Sequence, residues 1–217
     1  MSSHTHEAQH LLLLGMTGSG KTTAGIKFML NAEDVACRFV FDWNERLVPR
    51  LPIRPCYTEA DCEAALPSRW VILHPRKMFP GVMLDRKVGR EALRWFAQWV
   101  RAVSKRGPGR KLFACAELWN FCTEDSIPPE LAMLADDGRQ DQVSFIFDTQ
   151  HPQKLNASIT GAATEIIAFK LIAPDALREC ARLGLDAKAI KELSPGSFIA
   201  YNRISGATLR SDNWEWA

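Results

Sequence analysis

The sequence predicts an α/β protein in which a mostly parallel sheet carries helices on both faces and ends in a C-terminal β-hairpin. Three observations predict it. Short apolar runs without polar alternation, such as Leu11–Leu14, have the composition of strands buried on both faces. Between them lie segments with apolar residues at helical spacing, long enough to cross from one parallel strand to the next. A glycine-rich loop, Gly15 to Gly20, joins the first apolar run to the first helical segment.

Each element follows in order. The four leucines 11–14 form the first strand, and Thr22 to Leu30 the helix after the loop. Cys37 to Phe41 (CRFVF) reads as a strand ending at Asp42, and Arg69 to Leu73 (RWVIL) as another ending near His74, with a Pro-rich connection between them. Asp85 to Arg106 places Val88, Ala92, Trp95, Phe96, Trp99, Val100 and Val103 on one stripe of a long amphipathic helix, an aromatic stripe read as core. Gly107 and Gly109 interrupt the chain before Lys111 to Ala116, a buried strand ending at Glu117. A helix is expected from Pro129 to Asp137, with Pro in its first turn and Gly138 at its end. Gln142 to Phe147 is the next strand, leading into Asp148, Thr149, Gln150, His151 and Pro152, and Thr164 to Leu171 another. Two short helices, Pro174 to Leu183 and Asp186 to Leu193, precede a hairpin of Ser197 to Tyr201 and Ala207 to Arg210 around Gly206.

With 217 residues and 47% hydrophobic content, residues 11–217 are expected to fold as a single domain behind a flexible arm at 1–10 that carries His4, His6 and His10. No run reaches the roughly 18 apolar residues of a membrane span, and the first ten residues lack the build of a secretion signal, so a cytoplasmic location is expected. The six cysteines contain no C-x-x-C pair, and several fall in apolar segments; they read as reduced and structural. A net charge of +2 does not mark a strongly basic nucleic-acid binder, so any contact with DNA must come from local clusters. Two clusters qualify: His74, Arg76, Lys77, Arg86, Lys87, Arg90 and Arg94 after a strand's carboxyl end, and Lys105, Arg106, Arg110 and Lys111 before a strand. Contacts from either would be sequence-independent and salt-sensitive.

Gly15 to Thr22, GMTGSGKT, fits the phosphate-cradling pattern G-x-x-x-x-G-K-[ST] without a mismatch. Gly15, Gly18 and Gly20 allow positive φ and close approach, so that N–H groups of the loop, Met16, Thr17 and Ser19 included, converge on an anion at a helix N-terminus. Lys21 brings a point charge to the β- and γ-phosphates, and the Thr22 hydroxyl is placed to ligate Mg2+ bridging the same oxygens. Thr23, one step on, falls within the same segment, with an ordinary helix residue as its other reading.

In open α/β sheets ligands gather at the carboxyl ends of strands. Glu117 follows such a strand, where a carboxylate orients or deprotonates an attacking water; a solvent-exposed acid is the alternative. Asp42 either holds Mg2+ through water or caps the turn that follows it. Gln150 has both donor and acceptor groups to sense a γ-phosphate and transmit its loss to the next loop, a turn-forming amide being the simpler role. Arg139 precedes that strand and so lies at the opposite sheet edge, from which it would reach a neighbouring subunit's nucleotide rather than its own.

Taken in order, GMTGSGKT, FVFDWN, LFACAE and GRQDQVSFIFDTQHPQKL resemble the FtsK–HerA superfamily of ring-forming ATPases that pump DNA, and within it the genome-packaging ATPases of internal-membrane icosahedral viruses. The similarity runs from Leu11 to about Tyr201, and M-T-G-S-G and T-Q-x-P are its more specific parts. The resemblance implies a RecA/FtsK-like P-loop NTPase fold, with Gly15 to Thr22 as Walker A, Glu117 as the catalytic acid of Walker B, Gln150 as the polar sensor and Arg139 as a trans-acting finger. It further implies ATP and Mg2+ as cofactors, non-specific double-stranded DNA as partner, a homo-oligomeric ring, a viral vertex or membrane protein as docking partner, and a location in the host cytoplasm or the virion. One departure stands out. The family's Asp-Glu at the end of Walker B is Ala116-Glu117 here, so the carboxylate that assists Mg2+ is missing, and Glu117, Asp42 or water has to compensate or turnover is slow. Three other functions fit the same fold: a single-stranded-DNA phage assembly or export ATPase, a small-molecule kinase, and a non-hydrolysing nucleotide-binding scaffold.

Overall fold

The computed structural model describes residues 9–44, 47–51, 53–75, 78, 85–123, 125–138 and 140–212. Arg139, Arg76, Lys77, His4 and His6, all singled out in the sequence, lie outside the described residues. The elements are β1 (Leu11–Leu14), α1 (Lys21–Asn31), β2 (Val35–Phe41), α2 (Glu59–Ala65), β3 (Trp70–Leu73), α3 (Arg86–Ser104), β4 (Arg110–Cys115), α4 (Pro129–Asp137), β5 (Val143–Thr149), α5 (Ala157–Ala162), β6 (Glu165–Phe169), α6 (Pro174–Arg182), α7 (Ala187–Glu192), β7 (Phe198–Asn202) and β8 (Thr208–Ser211).

Among the described residues these strands make one eight-stranded sheet in the order β3-β2-β4-β5-β1-β6-β7-β8. The six strands from β3 to β6 pair in parallel, and β7 and β8 add the antiparallel hairpin expected at the C-terminus. The order inserts β5 between the first strand, β1, and the strand that leads to Glu117, β4. All three therefore deliver their carboxyl ends to one edge.

Period-two alternation divides the core. Phe39, Phe41, Phe113, Cys115, Phe145 and Phe147 point to the face covered by α3 and α4, where they join Phe96, Trp99 and Phe121. Val40, Leu112, Ala114 and Ile146 point to the face covered by α1, with Leu11, Leu13, Ala24, Ile26 and Met29. The helix α3 starts where Asp85 accepts the Val88 N–H at 2.9 Å, a first-turn cap that fixes which residues face the sheet.

Three features differ from expectation. The Pro-rich connection contains α2, set by a reciprocal capping box between Thr58 and Asp61, and α5 follows an Asn156 cap; both are too short to carry a clear apolar period. The strand expected to end at Phe147 continues through Asp148 and Thr149, both buried. His10, expected in a solvated arm, is 3% exposed: its Nδ1 accepts the Phe145 N–H at 3.2 Å, its N–H donates to Thr164 Oγ1 at 2.9 Å and its carbonyl accepts from Thr164 and Glu165. The strand's edge bonding thus reaches one residue further back than its apolar run. The six cysteines are free, and all but Cys37 are buried, in agreement with the reduced structural reading.

Phe113 is fully buried at the centre of the aromatic face, with its ring 5.7–6.1 Å from Phe96, Phe145 and Phe147. Phe113→Ala is expected to lower unfolding free energy by about 3–5 kcal/mol, read as a shift of the urea midpoint at constant m-value.

Candidate active site

The loop after β1 is tied to both neighbouring strands before the helix begins. The Gly15 N–H donates to the Thr149 carbonyl at 3.2 Å and the Met16 N–H to the Lys170 carbonyl at 2.9 Å. A Cβ on Gly15 would stand 2.5 Å from Ser19 Oγ and 2.8 Å from Phe169 Cβ, so no side chain fits there. Gly20, with φ of 111°, turns the chain into α1. That helix has neither a side-chain cap nor an acidic residue in its first turn, which leaves its first N–H groups and the positive end of its dipole directed at the loop's interior. Ser19 Oγ is buried with no hydrogen-bond partner among the described residues, and Lys21, 5% exposed, turns its Nζ to the Met16 carbonyl at 3.1 Å. The donor set is that of a site for a polyanion.

A cleft of about 560 Å³ opens over this loop, lined by Thr17 to Thr23, Arg50 and Glu117. Thr23, the residue with two readings, is part of the wall. Glu117 sits in the left-handed region at φ 52° and ψ 48°, a conformation rare outside glycine, asparagine and aspartate and characteristic of functional turns. Three contacts hold it there: its N–H donates to Asp148 Oδ1 at 2.6 Å, its Oε2 accepts from Trp119 Nε1 at 2.9 Å and its carbonyl accepts from Asn120 Nδ2 at 3.1 Å. Glu117 as a residue is 6% exposed and lines the cleft, so it is not the solvent-exposed acid of the alternative reading.

Gln150 follows β5 directly, and its Oε1 accepts the Thr17 hydroxyl at 3.0 Å, which links the end of that strand to the loop. Asp42 is 1% exposed and does not line the cleft; its Oδ2 accepts the N–H groups of Leu47 and Val48 at 2.9 and 2.8 Å, which is the turn-capping role. The capped turn carries Arg50 to the cleft, where its Nη1 lies 3.5 Å from Thr23 Oγ1. Arg50, Trp119 and Asp148 are the site residues that the sequence did not single out. Nothing in the sequence marks Arg50 among the arginines of the Pro-rich connection; Asp148 had one signal, an acid inside an otherwise apolar strand.

Magnesium and a nucleoside triphosphate fit these residues. Among the described residues no group of three or more His, Cys, Asp or Glu side chains could hold a metal, and Mg2+ in triphosphate sites takes most of its ligands from phosphates and water, with a hydroxyl and one or two carboxylates from the protein. Thr22, in the cleft wall, offers such a hydroxyl.

Of the two basic clusters, the second is largely engaged by the fold, with Lys105 exposed. Lys111 buries its ammonium against the carbonyls of Ser104, Gly107 and Asp141, and burial pulls it below its ordinary value. Arg106 pairs with Glu63 and Arg110 with Asp34. In the first cluster His74 is buried and Arg94 pairs with Glu130, but Arg86 and Lys87 are exposed. The Arg86 guanidinium lies 4.6 Å from the Trp119 ring centroid and the Lys154 ammonium 4.9 Å from it, and His151 packs edge-on against the same ring at 4.6 Å.

No protein-family model matches the chain, and no curated protein does. Solved structures do. The genome-packaging NTPase B204 from Sulfolobus turreted icosahedral virus 2 aligns in its AMP complex with a TM-score of 0.73 at 18% identity, over 95% of this chain and 98% of that one. Its ATPγS complex aligns at 0.72 with the same identity and coverage. EccC (ATPases 2 and 3) from Thermomonospora curvata aligns at 0.63 with 14% identity, over 97% of this chain but 37% of that longer one. The chain shares the fold of these solved ATPase structures, α/β with a mostly parallel sheet and a C-terminal hairpin.

Burial and the neighbouring Lys154 hold the His151 imidazole below its ordinary 6.5. Its neutral form is the folded one, so its contribution to stability is present above about pH 6.5 and is lost as pH falls. An NMR titration is expected to place His151 below 6.5 and to move it upward in Lys154→Ala.

Proposed function

We propose that this chain hydrolyses ATP with Mg2+ and converts turnover into movement of double-stranded DNA, as a viral genome-packaging motor assembled as a homo-oligomeric ring. The observation that carries the reading is the placement of Glu117 in the same cleft wall as Thr17 to Thr22 of the Gly15–Thr22 loop. Fold likeness to a genome-packaging NTPase over nearly the full length of both chains supports it. No described helix is long and apolar enough to cross a membrane, and the motor would act in the host cytoplasm or on the virion, docked to a viral vertex or membrane protein.

In this mechanism the N–H groups of the loop and of the first turn of α1 bind the phosphates, and Lys21 swings from the Met16 carbonyl to the β- and γ-oxygens. Thr22 would help hold Mg2+, which when bound would neutralise charge on the phosphates. Glu117, locked by Asp148, Trp119 and Asn120, orients the attacking water and takes its proton. Thr17 and Gln150 sense departure of the γ-phosphate, because the loop and the end of β5 share their hydrogen bond. Arg139 would enter a neighbouring subunit's site and stabilise transition-state charge there. Arg86 and Lys154, which lie over the Trp119 ring beside Glu117, would pass that change to a DNA backbone, together with the exposed Lys87 next in the chain to Arg86.

Lys21→Ala is expected to reduce ATP turnover to background with an unchanged circular dichroism spectrum, and normal turnover by the folded variant would refute the mechanism. Glu117→Gln is expected to retain ATP binding by calorimetry while hydrolysis slows by about 100-fold or more. Duplex DNA should raise the ATPase rate at low salt and lose that effect as salt rises; stronger stimulation by single strands would favour an export ATPase, and none by either would favour a kinase.

A further inference from the structure

The 3-10 turn Leu118–Asn120, directly after Glu117, presents a half-buried indole that joins the cleft to the surface. On one side Trp119 Nε1 donates to Glu117 Oε2 at 2.9 Å. Over its ring lie two exposed cations from other parts of the chain, the Arg86 guanidinium 4.6 Å from the centroid and the Lys154 ammonium 4.9 Å from it. Arg86 is the first residue of α3, and Lys154 ends the 3-10 turn Pro152–Lys154 that follows β5. His151 meets the ring edge-on, and its N–H donates to Thr149 Oγ1 at 2.9 Å, so the indole also touches the strand end that bonds the phosphate loop. Two like charges over one ring repel: they stand within about 10 Å of each other, close to a Debye length. Among the described residues neither forms an ion pair, whereas Arg94 and Arg101, further along α3, pair with Glu130 and Asp137.

Resting on the DNA-motor reading, we propose that Arg86 and Lys154 take backbone phosphates of the duplex beside the Trp119 ring, and that Trp119 is the positioning residue through which this contact aligns Glu117. Duplex DNA carries one negative charge per about 1.7 Å of its axis, a density that matches two unpaired cations this close together. Bound phosphate removes the repulsion that keeps both cations from settling on the ring. A cation settled on the face of an indole draws electron density from it, which makes the Nε1–H the stronger donor to Glu117 Oε2. The carboxylate is then held more firmly in the cleft wall, and turnover rises when DNA is engaged. Lys87, exposed beside Arg86 but without a ring contact among the described residues, adds charge to the surface and stays outside this link. The basic residues that precede β4 are poorer candidates, because Arg106 and Arg110 are already paired with Glu63 and Asp34.

Trp119→Phe separates packing from coupling, because it keeps an aromatic face for the cations and removes the N–H. With the full chain at low salt, ATP turnover is measured without duplex and at saturating duplex, and duplex affinity by fluorescence anisotropy of a labelled duplex. Trp119→Phe is expected to bring the ratio of the two rates to within about twofold of one while duplex affinity stays within about threefold. A purely structural role would lower both rates by the same factor and keep the ratio, and that result overturns the proposal, as does a duplex-free rate raised to the stimulated level. Joint substitution of Arg86→Gln and Lys154→Gln, both at the surface, is expected to weaken duplex binding and to lose the ratio even at saturation. Lys87→Gln is expected to weaken binding with the ratio kept at saturation, and an equal loss of ratio there overturns the assignment to the ring. Should Trp119→Phe fail to fold, an unchanged ratio in the Arg86 and Lys154 variant still overturns it. Absence of any stimulation of the unaltered chain by duplex removes the DNA-motor reading and this inference with it, whereas stimulation that survives these substitutions removes this inference alone.

Discussion

An anion held by main-chain N–H groups requires those groups to converge, and the rest of this molecule is arranged around that requirement. Convergence is achieved by pinning the loop at Gly15 to the end of β5 and at Met16 to the chain just after β6, then turning it sharply at Gly20 into an uncapped helix. Neither anchor would exist without β1 lying between those two strands. The parallel sheet is what makes a short loop into a rigid cradle, and the helix that follows supplies both donors and dipole at no cost in charged side chains.

The second requirement, for the hydrolysis proposed, is a carboxylate facing that cradle. It is met by a residue in a strained conformation, and strain persists only where the surroundings over-determine it. Glu117 is fixed by a carboxylate from β5, an indole from its own turn and an amide one residue beyond. Because β5 also carries Thr149 and leads directly into Gln150, which bond to Gly15 and Thr17, one strand touches Glu117 on one side and the phosphate loop on the other. A displacement of β5 by a fraction of an ångström would alter both at once, which suits a strand that reports the state of the nucleotide.

Most of the architecture was legible in the residues because buried parallel strands have few other ways to read: Leu11–Leu14, the CRFVF and RWVIL runs and the segment before Glu117 are predominantly apolar, and the last three lead into polar residues. The phosphate loop was legible because its glycines and lysine have fixed spacing. What escaped falls into two kinds. Short helices framed by prolines, such as α2, bury too little to impose a period, although the Thr58–Asp61 capping pair was written in the sequence. Arg50 reaches the cleft, and Trp119 reaches the Glu117 carboxylate, only through tertiary placement, the first by the turn that Asp42 caps and the second by the 3-10 turn after Glu117. Asp148 and Thr149 were set outside their strand because their polarity ended the apolar run, yet the strand keeps them because each has a partner inside.

His10 has a practical bearing. Its ring and main chain clamp the start of β1 between Phe145 and Thr164, at the sheet edge opposite the nucleotide cleft. A fluorophore or surface tether fused ahead of Gln9 would therefore leave the molecule on the side remote from ATP, and the imidazole clamp would keep a pull on that tether from being transmitted directly along β1 to the lysine loop. Single-molecule handles belong there, whereas a fusion after β8 would hang from the hairpin at the open end of the sheet.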